Sequence, residues 1–171
     1  VTIRRVLSLG ELDLGRAAQP VGRIDASACL LAADLIDTMR ASPGCVGLAA
    51  PQIGDLRRAF VIDVTGNKKT LTCHGELVVF DPILLEAADL VTEREGCMSV
   101  PDLTGDVARA RRIVVRALDG EGKTQVIETD GFEARAFLHE IDHLNGLVFL
   151  DRLMGPSALH ARRNYQSPPS P

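Results

Sequence analysis

The chain is 171 residues long, 46% hydrophobic and 25% charged, with a formal net charge of −4. These values suit one domain with a real core, and they exclude a disordered or membrane-spanning chain, because charge or glycine interrupts every apolar run before spanning length. The acidic balance gives no general reason to bind nucleic acid, and the four cysteines show no paired spacing, so disulfides are not expected.

Val1-Thr2-Ile3-Arg4-Arg5 is followed by no apolar signal core, so the expected location is the cytoplasm, or an organelle in a eukaryotic source. Residues 3–24 mix apolar positions with Gly10, Gly15, Pro20 and Gly22, the pattern of an extended arm with short turns. From Asp25, a capping residue type, Ala28, Leu31, Ala32, Leu35, Ile36 and Met39 recur at helical spacing until Ser42-Pro43-Gly44. This predicts a packing helix, with Cys29 as buried filler. The following run, Cys45 to Gly54, is rich in small residues and carries one amide, Gln52. A tight strand and turn would explain Gly47, Ala49 and Ala50, whereas a close backbone approach to a ligand would also give Gln52 a role.

Residues 58–64 read as a strand, 65–75 as a polar loop with Cys73 and His74, and 76–86 with 88–95 as a β-pair. Adjacent Cys73 and His74 would point apart and have no partner motif, so no second metal site is expected there. The pair leads to Glu95-Gly96-Cys97-Met98-Ser99, where Cys97 is either a buried small hydrophobe or a thiolate available to a metal. Strands are expected at about 107–118 and 124–129, with Arg109, Arg111 and Arg112 on a solvated strand edge. A helix begins near Gly131. Beyond Leu153 the composition turns to Gly, Pro and Ser, so the domain is drawn at 1–153 with 154–171 as a flexible C-terminal tail.

The last helix carries His139-Glu140-Ile141-Asp142-His143. At this spacing the two imidazoles lie one turn apart on one face and can share a divalent metal, with Glu140 beside them to act on a water. Two surface histidines would give the same string, so a third ligand decides. The downstream histidine of the metzincin proteases would fall at 149, which is Phe149; Asp151 is too close, and the rest of the tail holds no Asp or Glu. The ligand has to come from upstream, and Cys97 can complete a Cys-His-His site.

Three stretches, Gly47-Leu48-Ala49-Ala50-Pro51-Gln52, Glu95-Gly96-Cys97-Met98-Ser99 and His139-Glu140-Ile141-Asp142-His143, together resemble the motifs of the peptide deformylases, over roughly residues 3–153. The resemblance implies an α+β fold, with antiparallel β-sheets packed around a central metal-binding helix and a second packing helix. It implies a hydrolase that removes the formyl group from the N-terminal formyl-methionine of newly made chains. Carried over by motif, the metal ligands are Cys97, His139 and His143, and the ion is iron(II) natively, although zinc, nickel or cobalt suits the same donors. Glu140 moves the proton, while Gln52 and the backbone N–H of Met98 stabilise the oxyanion. Val46, Gly47, Phe132, Arg135 and Ala136 would line the slot for the methionine side chain. The implied partners are formylated N-termini of nascent polypeptides, met at the ribosome, with neither nucleic acid nor membrane.

Four positions depart from the family pattern: Cys45 stands for the usual first Gly, Leu138 for Gln, Met98 for Leu, and Thr104 where many bacterial members have Arg. They leave open a hydrolase of another N-formyl or N-acyl compound, and a metal-holding binding protein. Retention of Glu140 favours an enzyme, since a structural site needs no base and would be closed by a fourth protein ligand.

Overall fold

A computed structural model describes residues 2–162. Helix α1 (Ala26–Ala41) starts where Asp25 accepts a hydrogen bond from the Ala28 N–H at 3.0 Å, closing one of the open donors of the first turn. Its buried stripe is Ala28, Leu31, Ala32, Leu35 and Met39. Cys29, expected as filler, is exposed instead, because one step of helix turns it away from Ala28.

Strands β1 (Gly47–Ala49), β2 (Ala59–Ile62), β3 (Leu77–Cys97), β4 (Val100–Leu118) and β5 (Thr124–Asp130) form one antiparallel sheet in that order, and β6 (Leu159–Ala161) joins β4 elsewhere along its length. The fold is the expected α+β one, its strands making a single sheet of six. β2 is covered on both faces: all four of its residues are buried, since Ala59 and Val61 pack toward α1 while Phe60 and Ile62 pack toward helix α2 (Gly131–Leu144). Across that second core, Phe60 meets Phe137 edge-on, ring centres 5.4 Å apart.

The stretches expected as a β-pair at 76–86 and 88–95 are a single long strand, β3. Register shifts between Phe80 and Ile83 and between Leu84 and Glu86 break its alternation, and Asp81 takes φ 48°. A bulge interrupts the period of two much as a turn would, which is why the sequence pattern divides there. The Asp81 carboxylate is not wasted, for it accepts the Val21 and Gly22 N–H groups of the N-terminal arm at 2.8 and 2.7 Å.

β4 also starts earlier than expected, at Val100, because Met98 and Ser99 form a tight turn that folds it straight back on β3. Arg109, expected on a solvated edge, is buried and salt-bridged, whereas Arg111 and Arg112 are exposed. The tail assignment also needs correcting. Residues 156–158 make a 3-10 turn and Leu159–Ala161 pairs with β4, so regular structure extends past 153; backbone bonding to a neighbouring strand outweighs a loop-like composition. The part of the expected tail beyond 162 lies outside the described residues.

Candidate active site

Helix α2 runs through the middle of the molecule and is buried on nearly all sides, including at Glu133, Arg135, Glu140, Asp142 and His143. One turn separates His139 from His143, and their rings stand 4.9 Å apart at 82°. Cys97, the last residue of β3, brings its thiol to the same place, with Sγ 3.3 Å from His143 Nε2. Each of the three offers a ligand atom within 4.8 Å of the others, and theirs is the one such group among the described residues. A single ion with bonds of about 2.0 to 2.3 Å needs donors that close. Cys73, His74 and His160 lie outside the group; His74 and His160 are paired with Glu133 and Asp106.

The donors are conditioned by their surroundings. Burial would raise the Cys97 thiol, but His143 and His139, by charge and hydrogen bonding, hold it well below its ordinary range. That is the state a metal requires. His139 turns Nδ1 to Glu95 Oε2 at 3.0 Å, which leaves Nε2 for the cluster. Glu95 is itself buried, and despite that burial the hydrogen bonds from His139 and Arg109 bring its carboxyl down to about 2.

Behind this pair lies a network that the motifs do not reveal. Arg109 bonds both oxygens of Glu95, at 2.6 and 3.0 Å, and reaches Asp142 Oδ2 at 2.8 Å; Arg152 holds the other Asp142 oxygen at 2.8 Å. Asp142 and Glu95 lie inside the motifs, whereas Arg109 in sequence looks like a surface charge. A clue was available, since a carboxylate beside a buried ligand needs a cation to balance it.

Glu140 is buried next to the cluster, and its Oε2 has no hydrogen-bond partner. Burial raises its pKa, the two histidines pull it down in part, and Cys97 adds to the rise. Gly47 makes room for it: a Cβ there would lie 2.6 Å from Glu140 Oε1 and 3.0 Å from Cδ. Gln52, on the 3-10 turn Ala50–Ile53, accepts the Ala49 N–H at its Oε1 (2.9 Å), which fixes the amide so that Nε2 faces Ser99 Oγ at 3.2 Å and Cys97 Sγ at 3.6 Å. Ser99, fully buried, is a second residue whose part had gone unread.

A cavity of about 330 Å³ opens over this assembly. Val46, Gly47, Gln52, Met98, Phe132, Arg135, Ala136, His139, Glu140 and Cys97 all line it, while His143 lies behind them, buried. The structure thus gathers every residue singled out from the sequence, with one qualification. The guanidinium of Arg135 is committed to Glu95 Oε1 at 2.7 Å and to the Val107 and Val91 carbonyls at 3.0 and 2.7 Å, so Arg135 forms wall and support and is not a free cation. Lys69, from the polar loop, also reaches the cavity, with Nζ 5.5 Å from the centre of the Phe132 ring. Cys45 donates from Sγ to the Gly47 carbonyl at 3.0 Å, and burial together with the Glu140 charge pushes its thiol up to about 12.

Known proteins resemble this chain along most of its length. The family model for polypeptide deformylase matches residues 3–158. A peptide deformylase of Heliobacterium modesticaldum is 41% identical over 153 residues, covering 90% of this chain and 95% of that protein. One of Carboxydothermus hydrogenoformans is 38% identical over 152 residues, covering 89% and 94%. The crystal structure of a peptide deformylase from Legionella pneumophila superposes with a TM-score of 0.82 at 40% identity, covering 92% of this chain and 89% of the other. That of the Ehrlichia chaffeensis enzyme in complex with actinonin gives 0.83 at 33% identity, with 90% of each covered.

Proposed function

The chain belongs to the polypeptide deformylase family, and from that premise we propose that Cys97, His139 and His143 hold its metal while Glu140, Gln52 and the Met98 N–H conduct the reaction. That reaction hydrolyses the N-formyl amide of an N-terminal formyl-methionine, leaving formate and a free amine. When bound, the metal supplies Lewis acidity, lowering the pKa of water toward neutrality. We take iron(II) as the native ion; zinc, nickel or cobalt would suit the same soft and borderline donors.

Glu140 accepts the proton of the attacking water and returns it to the leaving nitrogen. The observation that carries this role is its buried Oε2, without a partner beside three converging ligand atoms. A raised pKa serves a group that must take up and release a proton in one turnover. Gln52 Nε2, held by the bond from Ala49 to Oε1, donates to the oxygen that gains charge as the formyl carbon becomes tetrahedral, and the Met98 N–H donates beside it. Val46, Gly47, Phe132 and Ala136 shape the slot for the methionine side chain, and Arg135 contributes its stem.

The substrates are formylated N-termini of nascent chains, encountered at the ribosome. No helix among the described residues is long and apolar enough to cross a membrane. The test is to load the protein with iron without oxygen and supply formyl-Met-Ala-Ser, formyl peptides with other first residues, and acetyl-Met-Ala-Ser. Formate should be released fastest from the formyl-methionine peptide. Faster cleavage of the acetyl peptide, or formate from none, would overturn the reading.

A further inference from the structure

Four cationic side chains line the cavity: Lys69, Arg94, Arg135 and Arg162. Three are occupied. Lys69 lies over Phe132, Arg94 Nε is 2.7 Å from Asp106, and Arg135 is held by Glu95. The Arg162 guanidinium is half-buried and has no hydrogen-bond or ion-pair partner among the described residues.

Its position is fixed nonetheless. β6 pairs with β4 through Leu103 with Ala161, Thr104 with His160 and Gly105 with Leu159, and the Arg162 N–H donates to the Asp102 carbonyl at 2.9 Å. His160 Nε2 adds a hydrogen bond with Asp106 at 2.8 Å. These anchors lay the Arg162 side chain across Gly96, immediately before the ligand Cys97. A Cβ on Gly96 would collide with Arg162 Nη2 and lie 3.4 Å from Thr104 Cγ2, so the absent side chain at 96 and the small one at 104 leave the space that the guanidinium fills.

We infer that Arg162 is a substrate-binding residue, donating to a backbone carbonyl of the peptide at the second residue or beyond. The inference rests on the deformylase reading of the site. Guanidinium carries only donors, and a peptide leaving the cavity presents carbonyl oxygens as its recurring acceptors. With the formyl group at Cys97, His139 and Glu140, a cation seated on Gly96 is offset from the reacting atoms by at least one residue of β3 while still lining the cavity. Extended peptide advances about 3.3 Å per residue, so such an offset is met by a carbonyl downstream of methionine and not by the formyl oxygen.

The experiment compares kcat/KM of wild-type and R162A proteins, both iron-loaded, on formyl-Met-Ala-Ser and on formyl-methionine methylamide, which lacks any carbonyl beyond that of methionine. R162A should lose about tenfold on the tripeptide, chiefly through KM, and less than about twofold on the methylamide, as expected for loss of one hydrogen bond from a charged donor. Equal losses on both substrates, no loss on either, or a gain on the tripeptide would overturn the assignment. Metal content and thermal melting are measured alongside. If R162A fails to fold, R162Q, which retains length and an N–H donor but no charge, carries the same comparison. A wild-type protein inactive on both substrates would remove the deformylase reading itself, whereas an active wild type with indifferent R162A removes only the role of Arg162.

Discussion

Glu140 and Gln52 line the same cavity, yet the roles given them predict different losses. Glu140→Gln preserves size and hydrogen bonding but cannot accept a proton, so kcat should fall by about 10²- to 10⁴-fold with metal content unchanged by elemental analysis. Metal lost together with activity would make Glu140 a ligand. Gln52→Ala removes one oxyanion donor and should cost about 10²- to 10³-fold in kcat, with little change in KM. Gly47→Ala tests the room left for Glu140. Its Cβ would press on the Glu140 carboxylate, so turnover should drop at least about tenfold while the metal stays bound. The motif residues were legible in the sequence because each carries its chemistry in its own side chain. What Gly47 does was not, since its contribution is an absence that matters only once Glu140 lies opposite.

At the scale of elements, α2 is tied to the β3–β4 ribbon by Glu95, Arg109, Asp142 and Arg135, all buried. Removing the central cation takes one partner from each of two buried carboxylates, leaving Glu95 to Arg135 and Asp142 to the more exposed Arg152, so Arg109→Met should destabilise the domain by about 3 kcal/mol in denaturant unfolding. Glu95 adds an acid dependence. Its folded pKa, about 2, lies below its ordinary 4.5, so its stabilisation is fully present above pH 4.5 and is lost as pH falls toward 2. Metal-free protein should therefore lose melting temperature steeply across that window, and Glu95→Gln should flatten the slope. A parallel slope in the variant would remove Glu95 as a source of the dependence. The N-terminal arm, which the sequence marked only as extended, proves to brace both donor turns: Leu7 N–H bonds the Gln52 carbonyl at 2.7 Å and Leu9 N–H the Ser99 carbonyl at 2.8 Å. Nothing in the composition of residues 3–24 reports those partners.

For the molecule as a whole, the proposed ligands join the end of β3 to α2, so a bound ion should stabilise the fold as well as activate it. Cys97→Ala should abolish stoichiometric metal retention and remove the rise in melting temperature that metal gives the wild type. Full metal content in that variant would refute the ligand assignment. The sequence by itself determined both helices, the presence of a strand at β2 and the candidate ligand set, because periodicity and motif spacing are local properties of the chain. Tertiary structure alone decided that β3 is one bent strand, that Arg109 is buried, and that Arg162 returns across Gly96. Each of these depends on a partner far away in sequence: a bulge resembles a turn until its ladder is seen, an arginine resembles a surface charge until its carboxylates are found, and residues 159–161 resemble a loop until β4 offers its free edge.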